Sequence, residues 1–180
     1  MGNSRSPAPG EPGSAGSCGG PDGTVRDTTA ARGAASDDSR FPIPDSRLFQ
    51  WPIRIYWEDT DAGGVVYHAN YLRFLERARS EWLRAAGFGQ ERLRVEDGVV
   101  FVVHHMDISF NAPARLDDEL VATVAAEPPR SASFHVRQEL LRAGAVKPLI
   151  AARVRIACLD AARFRPRPIP DHLLQGIAPP

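Results

Sequence analysis

The sequence predicts an α+β domain in which an antiparallel five-stranded sheet wraps around one long central helix. Three observations predict it. Between about residues 51 and 159 the apolar spacing runs at two, then near 3.6, then at two again. One segment carries a long helical stripe, and such a stripe needs a broad sheet to bury it. Finally, 43% of the 180 residues are hydrophobic, ample for a core.

The elements follow in order. Residues 1–46 are rich in Gly, Pro, Ser, Ala and Asp, with Phe41 the one aromatic and no Leu before Leu48. Such a stretch cannot bury enough apolar surface to offset the entropy of ordering it, so it reads as a disordered tail. Arg5, Glu11, Asp22 and Arg26 interrupt any continuous apolar run of a secretory signal there. The folded domain is then residues 47–175. Trp51, Ile53, Ile55 and Trp57 alternate with Pro52, Arg54 and Tyr56, the spacing of a strand. Asp59 to Gly64 reads as a turn. From about Asn70 the period becomes helical, with Tyr71, Leu75, Ala78, Trp82 and Ala86 as the apolar stripe. Arg77 and Glu81 form an i,i+4 pair on the opposite side, and Gly87 is a stop.

Four strands come next: Val99 to Phe110, Glu119 to Glu127, Ser131 to Arg142 and Leu149 to Leu159. Turn residues separate them, and the succession reads like a meander. In the last strand Ile150, Ala152, Val154, Ile156 and Cys158 share one face, with Arg153 and Arg155 on the other. The sheet's edges would remain exposed, which predicts pairing with a second copy.

Composition excludes several classes. Lys+Arg and Asp+Glu are 22 each, for a formal net charge of zero, against a general nucleic-acid binder. No apolar run approaches the roughly 18 residues of a membrane span, although peripheral association is compatible with the sequence. Two cysteines, Cys18 and Cys158, make neither a disulfide framework nor a CxxC zinc site, and Cys158 reads as a buried thiol.

The unusual residues concentrate where the first strand meets the helix, in the run from Glu58 to Tyr71. Two aspartates, Asp59 and Asp61, precede Gly63-Gly64, which lets the backbone approach a ligand closely. The helix that follows has unpaired N–H groups and a positive dipole end around His68 to Asn70. That end suits the oxyanion of a carbonyl under attack. From one chain Asp61 could not easily reach the same substrate carbon as that helix end. Across a two-fold dimer, Asp61 of one subunit could face the helix end of the other.

The run DTDAGGVVYHANYLRFLERARSEWL resembles the signature of the 4-hydroxybenzoyl-CoA thioesterase family of hotdog-fold enzymes, nearest the branch associated with the Tol–Pal cell-envelope system. The resemblance spans about Phe49 to Leu174, continuing through HHMDISFNAPARLDDELVAT and RIACLDAARFRPRPIP. It implies a hotdog fold and acyl-CoA thioester hydrolysis without metal or other cofactor. It also places the catalytic carboxylate on Asp61, as nucleophile or as general base on water, because a thiolate leaves with little acid assistance. The amide at His68 is implied as an oxyanion donor, and the His68 side chain as an orienting group. Gly63, Gly64, Val65, Tyr67 and Asn70 are the residues expected around the substrate. Ser109, Phe110 and Trp57 depart from the family pattern, where glutamate, tyrosine and tyrosine are expected; these changes bear on acyl preference.

Plainer readings stand beside these. Without the resemblance Asp61 is an aspartate of a glycine turn, Asp59 holds that turn, and His68 merely starts a helix. Glu76 reads as a solvated or interface carboxylate. His104-His105 point to opposite faces of a strand and lack metal-ligand partners. GFGQER after the helix is a stop and not a dinucleotide fingerprint. Arg130, Arg163, Arg165 and Arg167 are solvated, or meet the phosphates of coenzyme A. The expectation is therefore a cytoplasmic homodimer or homotetramer hydrolysing acyl-CoA or acyl-carrier-protein thioesters. Two alternatives remain: a non-catalytic adaptor for acyl-carrier protein or envelope-biogenesis partners, and a hotdog enoyl-thioester hydratase.

Overall fold

The computed structural model describes residues 48–177. The tail reading of residues 1–46 lies outside them. Strand β1 (Phe49–Arg54) is followed by a 3-10 turn (Trp57–Asp59) and by helix α1 (His68–Ala85). A short helical turn (Gln90–Arg92) runs into a π-helical turn (Leu93–Asp97). Then come β2 (Val99–Phe110), β3 (Glu119–Ala126), β4 (Ser133–Arg142), β5 (Ile150–Asp160) and a last helix (Asp171–Ile177).

All five strands form one antiparallel sheet, in the order β1-β3-β4-β5-β2. Its inner face carries Leu120, Ala122 and Val124 from β3, Phe134, Val136 and Leu140 from β4, and Ile150, Ala152, Val154, Ile156 and Cys158 from β5, all buried. Helix α1 lays Tyr71, Phe74, Leu75, Ala78 and Leu83 against that face. Tyr71, Phe74, Leu75 and Ala78 are related by three- and four-residue steps, so one side of the helix is predominantly apolar. Burying a Phe or Leu side chain completely contributes about 1.5–3 kcal/mol. With this many such residues, the helix and the inner face of the sheet form one core. The helix stops at Gly87, whose φ of +90 lies in the left-handed region open to glycine.

The sheet differs from a meander in one respect. β2 does not neighbour β3; it crosses to the far edge and pairs with β5, from Val99↔Asp160 to Phe110↔Ile150. The physical reason is the helix: β2 returns along the side of α1 that β1 and β3 do not cover, so the sheet closes around it from both flanks. The order of elements along the chain is blind to that choice.

Smaller expectations also shift. Trp57 does not continue the inward face of β1. It opens the 3-10 turn and is 79% exposed, because the strand ends two residues after Pro52 and the backbone turns at Trp57. Ala86 and Trp82 are only partly covered, whereas Phe74 and Leu83 are buried. Glu81 pairs with Arg84 and not with Arg77. The last helix was unforeseen; its Leu173 and Ile177 are buried in the core, and Gly176 faces the ring of Phe88 with no room for a Cβ.

Outside the core, the outer face of the sheet is charged. Glu127 accepts two hydrogen bonds from Arg153, at 2.9 Å from Nε and 2.7 Å from Nη2, which hold its carboxyl below the ordinary 4.5. His135 stands opposite Arg155 on β5. Partial burial, then the nearby Arg153, push its imidazole below the ordinary 6.5. Both folded-state values are depressed, so as pH falls the unfolded chain takes up these protons first. We therefore expect the thermal midpoint to hold above pH 6.5 and fall below it as His135 protonates. A further fall follows below pH 4.5 as the Glu127–Arg153 pair is lost. In a calorimetric pH series His135→Gln removes the first fall and leaves the second. Identical profiles for wild type and variant contradict this assignment.

Candidate active site

Between β1 and α1 the chain must reverse direction, and the reversal is held by hydrogen bonds of Asp59. Its Oδ2 accepts the Tyr56 N–H at 2.9 Å, closing the 3-10 turn. Its carbonyl accepts two donors, the Tyr67 N–H at 2.9 Å and Nδ2 of Asn70 at 3.0 Å. The same residue thus ties the turn to the residue before α1 and to the helix's first turn. Asn70, expected beside the substrate, is buried, and its amide is spent on this tie. It reaches the site only through the loop it holds.

Within that frame Thr60 to Val66 forms a tight loop, closed by a bridge between its ends. Asp61 donates its N–H to the Val65 carbonyl at 3.0 Å, and Gly64 donates to the Asp61 carbonyl at 3.0 Å. Oδ1 of Asp61 accepts the Gly63 N–H at 2.8 Å. This is an Asx turn, a short side chain substituting for backbone. It fixes the carboxylate in one orientation while leaving Asp61 exposed. Gly64 follows with φ +70, a conformation that side chains with a Cβ resist.

Helix α1 begins at His68, with Tyr67 as its N-cap residue and no side-chain cap. The first amides of a helix have no acceptor four residues back, and the helix dipole adds partial positive charge at that end. No acidic side chain occupies the first turn to neutralise it. The rings of Tyr67 and His68 lie against each other, centroids 4.5 Å apart.

One residue bolts this end of the helix to the β2–β3 connection. Ala114, fully buried, donates its N–H to the Tyr71 hydroxyl at 2.8 Å and accepts from the Val66 N–H at 2.9 Å. Burial holds the Tyr71 phenol above its ordinary value, so it stays a neutral acceptor for that amide. The result is a cleft of about 310 Å³ lined by Val66, His68, Tyr71, Phe110, Asn111, Ala112 and Pro113. A second cleft of about 490 Å³ adjoins it, sharing Asn111 and Ala112 and lined further by Arg142, Ala145, Lys147, Pro148 and Leu149.

The structure therefore brings His68 to a cleft beside the helix end. It does not bring Asp61, Gly63, Gly64, Val65 or Tyr67 to line that cleft within one chain. Phe110 to Pro113, which line it, carry no chemical motif; the one hint in the sequence is the departure from family pattern at Phe110. Glu76 is exposed, with its carboxylate bound by Arg79. His104 and His105 are exposed at a register shift in β2, and His105 lies 3.3 Å from Asp107. Among the described residues no three His, Cys, Asp or Glu side chains group as metal ligands. Arg163 and Arg165 are exposed, while Arg167 turns inward and donates to the carbonyls of Asp97 and Gly98 at 2.9 and 3.1 Å. Cys158 is buried, and burial pushes its thiol up, away from the reactive thiolate.

Comparisons bear on this geometry. A family profile described as the thioesterase-like superfamily matches residues 55–177. The chain is 43% identical over 130 residues to the acyl-CoA thioester hydrolase YbgC of Escherichia coli, covering 72% of this chain and 96% of that protein. It is 42% identical over 125 residues to the acyl-CoA thioesterase YbgC of Haemophilus influenzae, covering 69% and 90%. Among solved structures, a probable thioesterase from Bartonella henselae superposes with a TM-score of 0.64 at 38% identity, covering 68% of this chain and 99% of that one. A 4-hydroxybenzoyl-CoA thioesterase bound to 4-hydroxybenzoyl-CoA superposes with a TM-score of 0.68 at 24% identity, covering 73% and 99%; that likeness is one of fold.

The loop geometry makes a prediction of its own. Gly64→Ala forces an L side chain into the left-handed region and should lower the unfolding free energy by about 1–2 kcal/mol. The same change at Gly89, where φ is negative, should not. Urea titration of both variants is the check.

Proposed function

The chain belongs to the thioesterase-like superfamily and has its hotdog fold, and from that premise we propose that it hydrolyses acyl-CoA thioesters with Asp61 as its catalytic carboxylate. That it is a thioesterase follows from the relatives it matches over nearly their whole length. The observation that carries the residue assignment is the Asx turn: Gly63 holds the Asp61 carboxylate at the exposed surface of a loop that leads directly into the α1 N-terminus.

The chemistry follows from those two features. The acyl carbonyl oxygen approaches the amides at the start of α1, where the His68 N–H and the dipole stabilise the negative charge that develops on it. Asp61 supplies the attack. As a nucleophile its oxygen bonds to the carbonyl carbon, the C–S bond breaks, thiolate leaves, and water then cleaves the mixed anhydride. As a general base it takes a proton from water, whose oxygen attacks instead. Either way the products are a free acid and a thiol. The His68 imidazole sits where it can orient water or substrate.

Asp61 is absent from the lining of its own chain's cleft, and we propose that a two-fold partner completes the site. The edges of the sheet favour β2 as the seam. β1 is a six-residue edge carrying Pro52, which has no N–H to donate, whereas β2 is a twelve-residue edge exposing Val103 and Phe110. Antiparallel pairing of β2 with its copy would continue one sheet through both protomers. A cytoplasmic location and an association with the Tol–Pal system belong to this same proposal and rest on the resemblance of the signature run. No described helix is long and apolar enough to cross a membrane.

The test is free-thiol release from acyl-CoAs, acetyl to palmitoyl and benzoyl, by wild type, Asp61→Asn and Gly63→Ala. Wild type should cleave at least one member, and Asp61→Asn should lose roughly 10²- to 10⁴-fold in turnover. A Cβ on Gly63 would stand 3.0 Å from Oδ1 of Asp61, so Gly63→Ala should also slow turnover with little change in thermal midpoint. Full activity in Asp61→Asn sinks the assignment. Saturable acyl-carrier-protein binding without cleavage would mark an adaptor, and a 3-hydroxyacyl product a hydratase. Light scattering should give at least a dimer, and inserting a proline mid-way along β2 should yield monomers without activity.

A further inference from the structure

We propose that Gln138 and Arg79 are positioning residues for the thioester site, a polar clamp inside the core that sets the axial position and rotation of α1. The proposal rests on the reading of the α1 N-terminus as the oxyanion site. Neither residue touches the cleft beside His68.

Gln138 is a polar side chain on the inner face of β4, between the buried Val136 and Leu140, and it is 0% exposed. Arg79 lies on the buried side of α1 at 5% exposure. An amide and a guanidinium in such places cost several kcal/mol unless every group finds a partner. Here the partners are specific. Nε2 of Gln138 donates to the Leu75 carbonyl at 3.1 Å, Oε1 accepts from Nη1 of Arg79 at 2.6 Å, and Nη2 of Arg79 donates to the Glu76 carboxylate. Ser80 hydroxyl also reaches Glu76, at 3.3 Å, from one turn further along. A strand side chain thus grips a helix backbone carbonyl directly and a helix side chain alongside it.

Apolar contact alone would not do this. Hydrophobic burial is non-directional, so sliding or rotating α1 slightly over Leu120, Phe134 and Val154 changes little buried area. Hydrogen bonds in a low-dielectric interior weaken steeply with distance and angle, and breaking one leaves an unpaired group there. The clamp therefore converts a permissive apolar seat into a single register. Leu75 lies seven residues from His68, about 10 Å along a rigid helix. Where the Leu75 carbonyl is pinned, the His68 amide follows. Misplacing such a group by about 1 Å can cost on the order of 10²-fold in rate.

The test separates positioning from bulk stability. Replacing both residues by methionine, Arg79→Met with Gln138→Met, leaves similar volume and no unpaired amide or guanidinium. We expect this double variant to fold with a thermal midpoint no lower than wild type by more than a few degrees. On the best acyl-CoA its kcat should fall at least tenfold while KM stays within about twofold. Wild-type kcat in the folded double variant overturns the proposal. Gln138→Glu is read alongside it, since it keeps an acceptor for Arg79 but loses the donor to Leu75. It should lower kcat too, and unchanged kcat there overturns the role of the Leu75 bond even if the double variant fails to fold. Asp61→Asn is assayed in the same series. Activity lost in Asp61→Asn but kept in the double variant removes the clamp alone, whereas activity kept in Asp61→Asn removes the site itself.

Discussion

The structure depends on one requirement: a single long helix must bury a predominantly apolar side, and no second long helix is present among the described residues to share the task. A flat or narrow sheet would leave part of that side wet. Five strands curving around α1 cover it, with β1 and β3 on one flank and β5 and β2 on the other. The crossing of β2 to the far edge, the burial of Phe74 and Leu83, and the packing of Leu173 and Ile177 from the last helix all serve the same closure. In exchange the helix N-terminus is left at the rim, where its amides meet a cleft and not the core.

That rim is built by economy of hydrogen bonds. Asp59 and Ala114 each serve two elements, one through its carbonyl and carboxylate, the other through its amide and carbonyl. Buried backbone groups need partners, and here the partners are chosen so that satisfying them also places the Asp61 loop and the start of α1. Asp59 therefore resembles a catalytic carboxylate by sequence neighbourhood but acts as structure. Asp61, two residues on, is held by one amide and left open to solvent. Each carboxylate accepts one backbone amide, but Asp59 is buried with its carbonyl also engaged twice, whereas Asp61 is presented to solvent by a turn.

The free edge of β2 and the absence of Asp61 from the lining of the His68 cleft point the same way. The single chain leaves one edge of the twelve-residue β2 free, and Asp61 is not among the residues lining the His68 cleft. Pairing would remedy both at once, which is why assembly and chemistry are treated as one proposal. The charged outer face, with Arg153, Glu127 and His135, lies on the side of the sheet away from α1 and contributes to acid sensitivity.

Alternation in β1 and β5, the helical stripe around Tyr71 and Leu75, and the glycine turn could all be read along the chain, because each is a local periodicity or a local backbone demand. The bounds expected for β2 match those observed, and the run from Asp59 to Leu83 pointed to a chemistry through its resemblance to a known family. What tertiary structure alone decided is how distant pieces share a partner. That β2 pairs with β5, that Asn70 serves Asp59, that Ala114 joins Tyr71 to Val66, and that Arg79 turns inward to Gln138 all depend on contacts between residues far apart in sequence. Periodicity assigns an arginine to the surface by default; only the opposing strand, by offering an amide in place of another methyl, makes a buried place for it.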